Sequence, residues 1–121
     1  MYSPIAAVID WIKENYGIPA YFEFPKKRPE RFAIVAQDYD LSDMPGIVEA
    51  GLHVRFFNST PEAANADGQR FQEDLKKTRL QDAEGVTWAE VDSGGYVMRD
   101  TDTKQPFRQV GIEITCHIKG E

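Results

Sequence analysis

The sequence predicts an α+β domain: a small, mostly antiparallel β-sheet with two helices packed on one face. Three observations predict it. Two segments repeat apolar residues at helical spacing behind a hydroxyl cap and a proline. Several others alternate apolar and polar residues with the two-residue period of a strand. The chain has 121 residues, of which 41% are hydrophobic. That is one domain, 1–121, long enough to remove about two-thirds of its unfolded surface from water.

Ser3 can cap a helix that Pro4 begins, and Ile5, Val8, Ile9, Ile12 and Tyr16 then form one apolar stripe. Gly17 can stop this helix in a left-handed conformation, so the first helix spans 3–16. Residues 18–24 read as a short strand, and Pro19 places it at a sheet edge. Residues 25–29 form a proline-braced turn carrying Lys26, Lys27 and Arg28. The next strand, 31–37, points Phe32, Ile34 and Ala36 one way and Ala33 and Val35 the other.

Residues 38–49 read as an acidic loop around Pro45-Gly46. Leu52, Val54 and Phe56 then alternate with His53, Arg55 and Phe57 in another strand. Thr60 and Pro61 open a second helix that runs to about Thr78, with Ala64, Phe71 and Leu75 on one face and Gly68 on the same stripe for close packing. A strand over 86–91 bends at Asp92-Ser93-Gly94-Gly95 and continues through Tyr96, Val97 and Met98. A polar loop over 99–106 leads to the last strand. There Val110, Ile112, Ile114, Cys116 and Ile118 share one face, and Gln109, Gly111, Glu113, Thr115 and His117 the other. The second sheet face therefore mixes His53, Arg55, Phe57, Glu113 and His117. A monomer would leave it wet; an oligomer would pack it against a neighbour.

Charge and composition narrow the function. The formal net charge is −6, the wrong sign for a protein that binds nucleic acid by releasing phosphate counterions. No apolar run reaches the ~18 residues of a membrane helix. The start, Met1-Tyr2-Ser3-Pro4, lacks a basic leader region, and Asp10, Lys13 and Glu14 interrupt the apolar residues that follow, so it does not read as a signal peptide. Cys116 is the one cysteine, so no internal disulfide forms, in keeping with a reducing cytoplasm.

The chemical motifs are weak. Cys116 and His117 are neighbours, but strand alternation sends them to opposite faces, which rules them out as a nucleophile–base dyad. His53 and His117 share a face without a third ligand at metal spacing. Asp38, Asp40, Ser42 and Glu49 imitate the spacing of a calcium loop. Asp43, however, stands where that loop needs glycine, and a strand rather than a helix leads in. Gly94-Gly95 lies between strands, not at a helix start where it could cradle phosphate. Lys26-Lys27-Arg28 is the one dense basic cluster. It is either a solvated turn or a charge-complementary subunit contact, with Arg28 and Arg31 as the better anchors for bidentate carboxylate pairing.

Four stretches carry a resemblance that spans nearly the whole chain: Tyr16-Gly17-Ile18-Pro19, the segment from Pro25 to Phe32, Ser59-Thr60-Pro61-Glu62-Ala63-Ala64, and Pro106-Phe107-Arg108-Gln109-Val110-Gly111-Ile112-Glu113-Ile114. In this order and spacing they resemble the small tail-terminator proteins of long-tailed bacteriophages. The resemblance implies a structural virion protein, not an enzyme, with no cofactor. It implies a homo-oligomeric ring, typically a hexamer, at the head–tail junction of the virion. Such a ring is made in the host bacterial cytoplasm, caps the tail-tube protein, ends its polymerisation and joins head–tail connector proteins. Genomic DNA passes through the lumen without being bound specifically, and no membrane is involved. Charge and exposure, not a carried-over motif, nominate Lys26, Lys27, Arg28, Arg31, Asp38, Asp40, Asp43, Glu49 and Arg55 as interface residues. Negative charge on 38–49 is expected to ease DNA passage if it faces the lumen. A head-completion or tail-tube-like structural protein is the alternative. A small ligand-binding or enzymatic domain is a third reading, and it requires a pocket with convergent polar groups.

Overall fold

The computed structural model describes residues 3–117, with the side chains of all but 40–44. Along the chain run helix α1 (Pro4–Tyr16), strands β1 (Ala20–Tyr21), β2 (Phe32–Met44) and β3 (Ile47–Phe57), helix α2 (Pro61–Lys76), a 3-10 turn (Arg79–Asp82), and strands β4 (Val86–Ser93), β5 (Val97–Arg99) and β6 (Pro106–His117). The strands form a single sheet in the order β1-β2-β3-β6-β4, with β5 also beside β6. Among the described residues only β1 and β2 run parallel; the other pairings are antiparallel. The α+β class and the two-helix cover are as the sequence predicts.

Local chemistry sets the helix ends. Ser3 Oγ accepts the Ala6 N–H at 3.1 Å, and Gly17, at φ 68°, closes α1 by donating its N–H to the Lys13 carbonyl. Thr60 Oγ1 accepts the Ala63 N–H at 3.1 Å and starts α2. That helix stops at Lys76 instead of running to about Thr78, because Thr78 turns to φ 59° and opens the 3-10 turn. The sequence reading did not foresee this turn.

Two expectations about the strands also need correction. The strand expected over 18–24 shrinks to Ala20 and Tyr21, which pair with Ala33 and Ile34 at the predicted edge. The chain then leaves the sheet, and Phe24 folds back with its ring 6.3 Å from Phe32 and 5.6 Å from Phe57. The larger correction concerns 38–49, which is a hairpin and not a loop. β2 continues through Met44, reverses at Pro45-Gly46 with Gly46 at φ 78°, and returns as β3. Proline followed by a positive-φ glycine is the chemistry of a tight reversal. The ladder to β3 supplies the backbone partners that weak β-formers such as Asp and Ser do not secure by propensity alone. The register slips between Gln37 and Tyr39 and again between Asp40 and Ser42, so β2 carries two bulges.

Alternation along the long strands yields two unlike faces. Inward, Ala33, Val35, Leu52, Val54, Phe56, Val110, Ile112, Ile114 and Cys116 form the main core with Val8, Ile12, Phe71 and Leu75 of the helices. Outward, Phe32, Ile34, Phe57 and Phe107 make a second, smaller cluster flanked by Tyr21 and Met98. Ile118, expected on the inward series, lies outside the described residues. The lane beside β6 is shared by β4 and β5, as the predicted bend requires. Gly95 makes the joint at φ 66°, and a Cβ there would stand 1.5 Å from the Gln109 carbonyl oxygen, so glycine is obligatory.

Candidate interaction surface

The helices cover the inward face, so any surface for a partner is sought first on the outward one. Its first half is aromatic. Phe32 and Phe57 are cross-strand neighbours with stacked rings 4.6 Å apart, and Phe107 lies 4.9 Å from Phe57. The Arg55 guanidinium sits 5.2 Å above the Phe107 ring and donates Nε–H to Gln109 Oε1 at 3.0 Å. At the margin the rings become accessible: Phe24 is 41% exposed and Tyr96 67%, and Phe22, in the arm beside α1, is 65% exposed. Exposed aromatic area of this kind is costly to leave in water and marks contact surfaces.

The second half is acidic. Tyr39 lies across Gly51, where an added Cβ would meet the ring at 2.4 Å, and its hydroxyl donates to Asp92 Oδ2 at 3.3 Å. The phenol is pushed above its ordinary pKa, first by desolvation and then by the nearby Asp92 and Glu113 carboxylates. Glu90 and Glu113 stand directly opposite each other on β4 and β6. Like charges in that position repel. Glu49 is half-buried on the same side and pairs with Thr115.

The predicted interface residues divide into two groups. Arg28 is held inside the subunit: Nη1 donates to Asp100 Oδ2 at 3.1 Å and to Thr103 Oγ1 at 3.3 Å, and the guanidinium lies 4.1 Å over Phe24. Arg31 makes a two-pronged pair with Asp67, Nε to Oδ2 at 3.1 Å and Nη2 to Oδ1 at 2.7 Å, while Asn58 donates to Oδ2 at 3.0 Å. These arginines fasten the 25–31 turn to α2 and to the loop before β6. Asp38 meets His53 Nδ1 at 2.6 Å. Lys26 and Lys27 are exposed and have no ion-pair partner among the described residues. The side chains of Asp40 and Asp43 lie outside the described ones.

Three polar residues inside the fold escaped the sequence reading. Asp67 and Asp74 fall on the buried stripe of α2 with Ala64, Phe71 and Leu75. Tyr16 donates its hydroxyl proton to Asp74 Oδ2 at 2.6 Å, joining the ends of the two helices, and Arg79 approaches the same carboxylate at 3.5 Å. Desolvation, and then the Asp74 hydrogen bond and charge, raise the Tyr16 pKa well above the ordinary phenol value. Arg108, buried, donates to Asn65 Oδ1, to Gln72 Oε1 at 2.8 Å and to the Gly94 carbonyl. Its stem fills the space that Gly68 leaves open: a Cβ at Gly68 would lie 2.3 Å from Arg108 Cγ. A carboxylate on an apolar helical stripe, or a cation on an inward strand position, was the available signal, since a polar group buried there needs a partner.

Other chemistry finds little support. His53 pairs with Gly111, six positions from His117, so the two histidines are about 20 Å apart along the sheet. Among the described residues no three His, Cys, Asp or Glu side chains gather closely enough for a metal ion. A cleft of about 430 Å³ between α1 and the 3-10 turn is lined by Asp10, Trp11, Glu14, Asp82 and Glu84. Cys116 is buried in the core, as its place in the apolar series predicts. What the outward face can do is present aromatic rings and carboxylates, and the arm beside it adds two lysines that are in no ion pair among the described residues. Comparison with family models and with curated proteins found no match to the chain.

Proposed function

We propose that this chain is a structural virion subunit of the tail-terminator kind: identical copies close into a ring that caps a phage tail tube, ends its growth and receives the head. One observation supports it most. The arm after β1 and the rim of the outward sheet face carry rings that a lone copy leaves in water, with Phe22, Phe24, Trp88 and Tyr96 all exposed. The order of motifs along the chain supports it independently. In this reading the partners are other copies of the chain, the last ring of the tube and the connector. DNA moves through the lumen without specific contacts, which an acidic subunit with a net charge of −6 favours.

The experiment is to infect with phage carrying or lacking this gene and to measure tail length by electron microscopy. Overlong, headless tubes are expected without the gene, and purified protein added to tubes should appear as a terminal ring. Tubes of normal length joined to heads in its absence overturn the reading.

A further inference from the structure

We propose that copies associate head to tail, the 22–27 arm of one copy seating on the acidic half of the next copy's open sheet face, over Glu90, Asp92 and Glu113. This rests on the annular reading above and names the contact that builds the ring.

The arm is an unfinished surface. It leaves the sheet after β1 and carries Phe22, 65% exposed, and Phe24, 41% exposed, ahead of Lys26 and Lys27. The neighbouring arginines are spent within the subunit, Arg28 on Asp100 and Arg31 on Asp67. Among the described residues the two lysines are therefore the cations of this turn left for another molecule. The receiving face has the opposite deficit. Glu90 and Glu113 oppose each other across β4 and β6, Asp92 lies in the adjacent register shift, and none of the three is in an ion pair among the described residues. Trp88, opposite Thr115 on this face and 49% exposed, offers a flat apolar neighbour for an incoming phenylalanine. Lysines set between repelling glutamates replace a repulsion with an attraction.

Geometry makes the pairing intermolecular. The arm springs from the β1 margin and the carboxylates lie on β6 and β4, at the other end of the order β1-β2-β3-β6-β4. Four strand spacings separate those margins, about 19 Å. Each copy thus offers two unlike patches on opposite sides. Each contact leaves one patch free at either end, and the series ends only when it closes on itself.

Sedimentation velocity on the full chain tests this, at low and high salt. The wild type is expected to associate at low salt and to weaken at high salt, as exposed ion pairs are screened. Lys26→Glu with Lys27→Glu, and separately Glu90→Lys with Glu113→Lys, should each lose the associated species while keeping the wild-type circular dichroism spectrum. Glu113 is half-buried, so Glu90→Lys alone is the second variant should the pair fail to fold. An equimolar mixture of the two reversed proteins should associate again, because each then supplies the patch the other needs. Association unchanged in both reversed variants, or none regained on mixing, overturns this contact and leaves the ring free to use another surface. A wild type that forms no oligomer, either alone or on tail tubes, overturns the ring reading along with it.

Discussion

On its inward face the sheet sets Val54, Phe56, Val110 and Ile112 against two helices; on its outward face the alternate residues of the same strands, Phe57 and Phe107 among them, meet a short arm, two guanidinium groups and solvent. Strand alternation created both faces, and only one acquired a lid. The difference teaches that apolar pattern settles which side of a strand is buried first. What covers the second side depends on side chains that arrive from far along the chain. Phe24 and, stacked on it, Arg28 arrive that way, and they cover the aromatic half alone.

Truncation separates the two faces most sharply. Phe71→Ala removes a fully buried ring of α2 that packs against Trp11 of α1 and Phe56 of β3, and should cost about 3–5 kcal/mol in urea unfolding. Phe24→Ala, on the outward margin, should cost about 1 kcal/mol. Equal losses would mean that the outward cluster is as much core as the inward one. A smaller effect tests how the turn is fastened. Arg31→Glu strands Asp67, whose remaining side-chain donor is Asn58, and should cost about 1–3 kcal/mol. Unchanged stability would mean that the arginine is available to a partner after all.

Asp100 provides a pH test of the same fastening. The Thr103 N–H is the main cause holding its carboxyl below the usual range, with help from the Asp102 N–H and Arg28. Because the folded pKa is depressed, this stabilisation is complete above the unfolded value of about 3.9 and fades as pH falls through the folded one. The stability gap between wild type and Asp100→Asn should therefore be flat near neutrality and narrow below about pH 4. A gap that stays constant in acid would remove the carboxylate's role. The smallest effect belongs to the acidic half. Glu90→Gln relieves the repulsion with Glu113 and should stabilise the isolated subunit by roughly 0.2–1 kcal/mol. A loss of stability there would mean that the two glutamates are already compensated within one copy.

Much of this architecture was legible in the sequence. Helical stripes with Ser3 and Thr60 caps located both helices, and alternation separated Phe32 from Val35 and Phe57 from Val54 within their strands, while the register between the strands came from the fold. Two things were not. The 38–49 hairpin was hidden because Asp38, Asp40, Ser42 and Asp43 have the chemistry of a loop, and pairing with β3, a tertiary event, overrides it. The availability of the basic turn was hidden too. Guanidinium chemistry marked Arg28 and Arg31 as the better carboxylate partners, but nothing local told that the carboxylates would be Asp100 and Asp67 of the same subunit, with Lys26 and Lys27 in no ion pair among the described residues. Those carboxylates stand 72 positions from Arg28 and 36 from Arg31 along the chain.

The two register slips in β2 have a consequence for how this molecule lives in a crowded cell. Beyond its brief pairing with β1, the outer side of that strand is an open row of amides and carbonyls, the kind of template on which fibrils grow. Each surplus residue throws that row out of step, so a stray extended chain cannot zip along it. Uncontrolled stacking is frustrated along this margin, whatever order the subunits adopt elsewhere.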